Sequence, residues 1–240
     1  MKKFLTSLFA VLLIIGIAGV ATSYSNAMIA FNGDTISLNE STKSDFDEKA
    51  KVEGEIYYVY DCIAVEEVTH TTYGIKTGTD ETNFYLIESY DKDWYTSDSD
   101  YEPLTLIYST ANKDKIEKLD KMVEDWYDYE DKLYSVETEE EYNALTPPES
   151  TLEIVGIIDE YDDSKLYTYR DEYIGEMGYT DDEIKDFVDQ YCVDMIIKDA
   201  DPDNFKTVFI VAAAVAVVGL IGLIAVLIGG RKKKNSDELY

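Results

Sequence analysis

TVFIVAAAVAVVGLIGLIAVLIGG, from Thr207 to Gly230, runs for 24 positions without a charged side chain. As an α-helix it rises about 36 Å, against a hydrocarbon core of roughly 30 Å, so it can span a bilayer with some tilt. Arg231, Lys232, Lys233 and Lys234 follow at once. Bases flanking a span gather on its cytoplasmic side, which places a basic tail, 231–240, in the cytoplasm. The rest of the chain is read outward from this frame.

A second apolar run, Phe4 to Ala21, follows Lys2 and Lys3. Residues 1–27 fit an uncleaved signal-anchor helix, and they also fit a cleaved signal peptide with Ser25-Asn26-Ala27 at the cut. The run is longer than the ~7–15-residue core of ordinary signals, which favours the anchor. Lys2, Lys3, Arg231, Lys232, Lys233 and Lys234 are therefore the topology-determining residues, and both readings send residues 28–206 across the membrane. No Leu-Pro-x-Thr-Gly-like sorting motif precedes the last apolar run, where the chain reads Asp201-Pro202-Asp203-Asn204-Phe205-Lys206. No lipobox cysteine follows the first run, since the first Cys is Cys62. The expected location is the cell membrane, with the lipid bilayer as the expected partner. Ala212/Ala216 and Ala225/Gly229 are small-xxx-small pairs that suit packing against another helix, either the N-terminal one or that of another membrane protein.

Of the 21 Lys and Arg, two lie before the first run and four after the last, leaving 15 between; of the 50 Asp and Glu, two lie in the tail, leaving 48. The exported segment thus carries a net charge of −33. Such a field repels phosphate backbones, so nucleic acid is excluded as a partner. It attracts cations and basic protein faces, and it also keeps an exported domain soluble.

Residues 28–54 are polar, with Asn32-Gly33 as a turn signal, and read as a stalk in which Ile36 and Leu38 form at most a short edge strand. Residues 55–206 read as an acidic α+β ectodomain. Strands are expected at Glu55 to Val68, Thr71 to Lys76, Asn83 to Glu88, Leu104 to Tyr108, Thr151 to Ile158 and Cys192 to Lys198. Thr77-Gly78-Thr79-Asp80 is the turn between the second and third of these, and Asp91 to Glu102 is a loop. Ile116, Leu119, Val123, Trp126 and Tyr127 share one stripe of a long helix between Asn112 and Tyr134. A short helix, Glu139 to Leu145, stops at Pro147-Pro148. Lys165 to Met177 is helical with Leu166, Tyr169, Tyr173 and Ile174 inward and Gly178 as its stop, and Asp182 to Asp189 is a helical turn after a capping Thr180. Gly156 marks a close-packing point or bulge. This order predicts a mostly antiparallel sheet, with a small barrel of oligonucleotide-binding type as a variant, flanked by membrane helices at both ends.

The strand VEGEIYYVYDCIAVEE (52–67) and the later runs EIVGIIDEY (153–161), YIGEMGY (173–179) and MIIKD (195–199), set between paired apolar ends, resemble an uncharacterised family of two-pass membrane proteins of low-GC Gram-positive bacteria. The resemblance covers most of the ectodomain and both anchors. Its motifs are structural, so it implies an architecture and no activity.

Chemistry-bearing residues are few. His70 is the single histidine and reads as a surface-loop residue; one His supplies neither a triad with a nearby nucleophile nor a zinc set. Cys62 and Cys192 both fall in expected strands of an extracytoplasmic segment; they are candidates for a disulfide if strand pairing brings their Cα atoms within about 7 Å, and otherwise pack as small apolar free thiols. Asp98-Ser99-Asp100-Tyr101-Glu102 and Asp199-Ala200-Asp201-Pro202-Asp203-Asn204 place carboxylates at alternate positions, as calcium loops do, without the loop glycine. Twenty-one tyrosines, many beside acids as in Trp126 to Tyr129 and Tyr167 to Tyr173, read either as amphipathic core edges or as a sugar- or peptide-contacting surface. No catalytic, cofactor-binding or metal residue is assigned. The expected function is a membrane-anchored extracytoplasmic binding, sensing or scaffolding module. The alternatives are an exported hydrolase and a cation-dependent surface adhesion module.

Overall fold

Two apolar helices occupy the ends of the chain, and an acidic α+β unit lies between them in sequence. The computed structural model describes residues 2–46, 50–72, 75–89, 103–161 and 164–237. It separates into two units, Met1–Gly33 with Asp201–Tyr240, and Asp34–Ala200.

In the first unit α1 (Lys2–Asn32) and α6 (Pro202–Asp237) pair along their length. The stretches Lys3–Phe31 and Pro202–Ile228 are long and apolar enough to cross a membrane, with mean hydropathies of 2.5 and 3.0. Gly16 lies against Ala216, Gly19 against Ala212, Leu13 against Gly219 and Phe9 against Gly222, so the helices run antiparallel. A Cβ on Gly19 would stand 2.9 Å from the Ala212 Cβ, and one on Gly16 would stand 2.6 Å from the Ala216 Cα. Small residues thus bring the two backbones into contact, the device that drives helix association in lipid. The Ala212/Ala216 pair meets α1. Phe4, Ile14 and Ile221 remain exposed on the outside, a greasy surface suited to acyl chains. Two boundaries move. α1 continues to Asn32, past the expected end at residue 27, and α6 starts at Pro202, before the apolar run. Asp201 caps α6 by accepting from the N–H groups of Asp203 (3.0 Å) and Asn204 (3.2 Å), with Pro202 at the first helical position.

The second unit is built on one seven-stranded sheet, in the order β1-β2-β6-β7-β5-β4-β3. Its strands are β1 (Thr35–Ser37), β2 (Lys51–Ile56), β3 (Tyr58–Thr72), β4 (Ile75–Glu88), β5 (Thr105–Thr110), β6 (Leu152–Asp159) and β7 (Cys192–Asp199). The pairs β2–β6, β6–β7, β4–β5 and β3–β4 are antiparallel, whereas β1–β2 and β5–β7 are parallel. The sheet is therefore mixed, and with β1 and β3 as free edges it is not a closed barrel. The stalk expected over 28–54 gives way to structure: residues 28–32 belong to α1, and β1, a 3-10 turn (Lys43–Asp45) and β2 build one end of the sheet. Leu38, Phe46 and Val52 from this region are buried in the core. The turn expected at Thr77 to Asp80 lies inside β4. There Gly78 pairs with His70, and β3 and β4 come together at Thr72 and Ile75. β5 reaches only Asn83 to Glu88 of β4, so the rest of the β3–β4 hairpin projects as a two-stranded arm.

Helices cover the sheet on both faces. α2 (Lys113–Ser135) forms because Asn112 caps it, its Oδ1 accepting from Asp114 N (3.0 Å) and Lys115 N (3.4 Å), and because Leu119, Met122, Val123 and Trp126 fall on one stripe. That stripe packs with Tyr85, Ile87, Leu106, Tyr108 and Ile197. The opposite face, Phe84, Leu86, Ile107 and Ile196, packs on Leu166 of α4 (Ser164–Glu176). Tyr127 and Tyr169, expected inward, are exposed, while Arg170 is buried. α3 (Glu139–Ala144) and α5 (Asp181–Tyr191) are short, and α5 opens on a capping box between Thr180 and Glu183. α4 ends at Gly178, whose φ of 96° suits a residue without a Cβ. At Gly156 a Cβ would meet the Ile197 Cγ2 at 2.5 Å and the Lys198 carbonyl oxygen at 2.8 Å, so β6 and β7 need glycine there.

Candidate functional site

β3 is a free edge of the sheet, opened by Tyr58 and Tyr60 and preceded at once by Tyr57. α2 flanks this edge from one face and α4 from the other. Between them lies a cleft of about 520 Å³, within the usual range of roughly 300–1,000 Å³ for small-molecule sites. β3 supplies Tyr58, Val59 and Tyr60; α2 supplies Val123, Trp126, Tyr127, Glu130 and Tyr134. α4 and the turn after it supply Tyr173, Glu176, Met177 and Tyr179.

The rings stand nearly at right angles to one another. Tyr58 meets Tyr60 at 4.7 Å and 83°, and Trp126 at 4.6 Å and 61°. Tyr60 meets Tyr173 at 6.2 Å and 70°. These are edge-to-face arrangements, each stabilising by about 0.5–1.5 kcal/mol beyond area burial. Polar contacts hold the rings in place. Trp126 Nε1 donates to the Tyr57 carbonyl at 3.0 Å, and Tyr58 Oη donates to Glu130 at 2.8 Å. Tyr127 Oη lies 3.3 Å from Tyr173 Oη, which joins α2 to α4 across the edge. Tyr127 also donates to Asp61 at 3.3 Å, and Tyr173 to the Tyr60 carbonyl at 3.3 Å. Two main-chain carbonyls at the start of this edge, those of Tyr57 and Tyr60, are thus engaged by side chains and withheld from another strand. A bulge between Val59 and Asp61 adds Tyr60 to the strand.

Behind the cleft, Tyr60 Oη donates to Glu88 of β4, which does not itself line the cavity. Burial pushes the Glu88 carboxyl up to about 7, and the Tyr60 hydrogen bond pulls it partly back. Burial also raises the phenols of Tyr58, Tyr60 and Tyr173 well above their ordinary value, with nearby Glu130 or Glu88 adding to the first two. All three are neutral hydroxyl donors at physiological pH.

The residues singled out in the sequence fall as follows. Cys62 lies on β3 and Cys192 at the start of β7, and both are free thiols. β4 and β5 intervene, so three inter-strand steps of about 4.8 Å, roughly 14 Å, separate them, twice the reach of a disulfide. Burial raises both thiols to about 11, which makes them poor nucleophiles. His70 sits in the β3–β4 arm, not in a loop, with Nε2 2.7 Å from Asp80 of β4. Asp199 accepts from Lys115 Nζ at 2.6 Å and Thr110 Oγ1 at 2.7 Å, tying α2 to β5 and β7. Asp98 to Glu102, and the expected loop around them, lie outside the described residues. Of the two tyrosine-rich stretches, Trp126, Tyr127 and Tyr173 reach the cleft, whereas Tyr129, Tyr167 and Tyr169 do not line it. The β3 tyrosines were missed as site residues, because a strand pattern shows alternation but not which edge is covered. No protein-family model matches the chain, and no curated protein compared with it is similar.

Proposed function

We propose that this is a two-pass membrane protein whose acidic domain faces outward and captures a ligand in the tyrosine-lined cleft at the β3 edge. The observation that carries the reading is the cleft itself. It has seven aromatic side chains drawn from three separated segments, braced by hydrogen bonds, with a volume suited to a small molecule or a peptide side chain. The charge asymmetry of Lys2, Lys3 and Arg231 to Lys234 against a −33 central segment supports the outward placement. The seating of Gly16 and Gly19 on Ala216 and Ala212 supports retention of α1 as a membrane helix. Membership in the two-pass family of low-GC Gram-positive bacteria belongs to the same proposal and rests on the motifs quoted above. The exported-hydrolase reading draws on Glu88, since a carboxyl near 7 suits a general acid. Tyr60 stands between that carboxyl and the cleft, which favours binding over catalysis.

The test uses single cysteines in a chain with Cys62 and Cys192 replaced by Ser and Ala. In intact cells a membrane-impermeant maleimide labels Tyr134→Cys, at the exposed cleft rim, and labels Tyr240→Cys only after permeabilisation. The opposite pattern overturns the topology. Medium or wall extract that carries the ligand slows labelling at position 134 but not at Tyr142→Cys on α3. Equal rates at the two positions overturn the binding role.

A further inference from the structure

The geometry points to an organic cation, an alkylammonium or guanidinium group, as the chemistry this cleft recognises. This rests on the binding role proposed above and names its ligand class. Three features converge. First, Tyr58, Tyr60, Trp126 and Tyr173 stand edge to face around one cavity, with interplanar angles between 61° and 83°. Rings so arranged wall a cavity on several sides, as a cage does, whereas a sugar-stacking platform presents one flat face. Negative ring faces attract ammonium and guanidinium groups within about 6 Å, and the attraction strengthens when the contact is desolvated.

Second, the charged side chains in the lining are Glu130 and Glu176, and no basic residue lines the cleft among the described residues. Glu130 is engaged by Tyr58, but Glu176 is exposed at the rim and has no hydrogen-bond partner among the described residues. A carboxylate at the mouth and rings inside is the order in which a cation meets long-range attraction and then a face it can shed water against. Third, the whole segment 28–206 carries −33, which draws cations toward it and repels anionic ligands. The cavity exceeds the volume of a bare ammonium group, so the cation is the head of a larger body. That body is either a free amphipathic molecule or a Lys or Arg side chain of a basic peptide.

The test is isothermal titration calorimetry on the full chain in phosphatidylglycerol nanodiscs, with empty discs as blanks; choline lipids are avoided because their headgroup would compete. Choline is compared with its neutral carbon isostere 3,3-dimethylbutanol, and pentalysine and a neutral oligosaccharide are run beside them. Choline or pentalysine is expected to bind saturably. Choline exceeds the isostere by at least about tenfold, the effect of one well-desolvated ring. Which of the two binds tighter distinguishes a free cation from a peptide side chain. Glu176→Gln weakens the cation several-fold and flattens its salt dependence while leaving the isostere unchanged. Tyr173→Leu keeps apolar volume and removes a ring, and it lowers choline affinity more than isostere affinity. Saturable binding of choline and isostere with equal affinity, or saturable binding of the oligosaccharide alone, overturns the cation assignment while the binding role stands. Silence from all four ligands overturns both.

Discussion

Glu88 makes the stability of the α+β unit depend on pH in a way one substitution can isolate. Its folded-state carboxyl titrates near 7 against an ordinary value of 4.5. Below 4.5 the group is protonated in both states. Between 4.5 and 7 the unfolded chain releases the proton and the folded chain keeps it, so the folded state binds more protons and stability falls as pH rises. The stabilising difference is fully present below 4.5 and is gone once pH passes through about 7. A shift of that size corresponds to about 3 kcal/mol at 1.36 kcal/mol per pH unit, less whatever water screens at its partly open side. Glu88→Gln keeps an acceptor for Tyr60 Oη and removes the titration. The measurement is urea unfolding by tryptophan emission, on the full chain in non-ionic micelles, from pH 4 to pH 8, for both proteins. The other carboxylates change alike in the two, so the difference between them isolates Glu88. Near pH 4 the two unfold at similar urea, and at pH 8 the variant withstands roughly 1 M more. Parallel pH curves would refute the burial argument.

Three further outcomes test the fold. Gly156→Val forces a side chain onto Ile197 and the Lys198 carbonyl and is expected to cost about 1–3 kcal/mol, read as a lower urea midpoint. Asn112→Ala removes the cap of α2 and costs about 1 kcal/mol, and Asn112→Ser restores most of it. Cys62 and Cys192 stay separate, so reductant leaves the melting temperature and gel mobility unchanged, and Cys192 reacts with maleimide only on unfolding.

Local signals in the sequence carried far and non-local ones did not. Asn112, Thr180 and Gly178 act within a few residues of themselves, and each marks an element boundary that the structure keeps. The apolar stripe of α2 was legible for the same reason. Within the expected stalk the short edge strand at Ile36 is present as β1, but the burial of Leu38, Phe46 and Val52 was not legible, because they are spaced singly among polar neighbours and gain their partners from the rest of the sheet. Thr77 to Asp80 looks like a turn on composition, yet pairing with His70 and its neighbours holds it extended. The parallel pairings β1–β2 and β5–β7 leave no periodic trace that would distinguish them from antiparallel ones. Arg170 was missed because its partners, Asp171 and Asp194, make burial of a guanidinium tolerable in a way helix periodicity does not register. For the cleft, the sequence showed which residue types were abundant, and the fold decided which of them share a wall.

The placement of β7 has a consequence for biogenesis. This strand joins two half-sheets, β1-β2-β6 and β5-β4-β3, and it is the last of the seven to leave the ribosome. Until it emerges, each half waits with an unpaired margin, and the apolar α6 follows within three residues. Closing the domain is therefore a late step of synthesis, followed at once by the apolar α6. A chain cut before β7 would keep both half-sheets on one polypeptide, each with an exposed margin prone to stick to its neighbours.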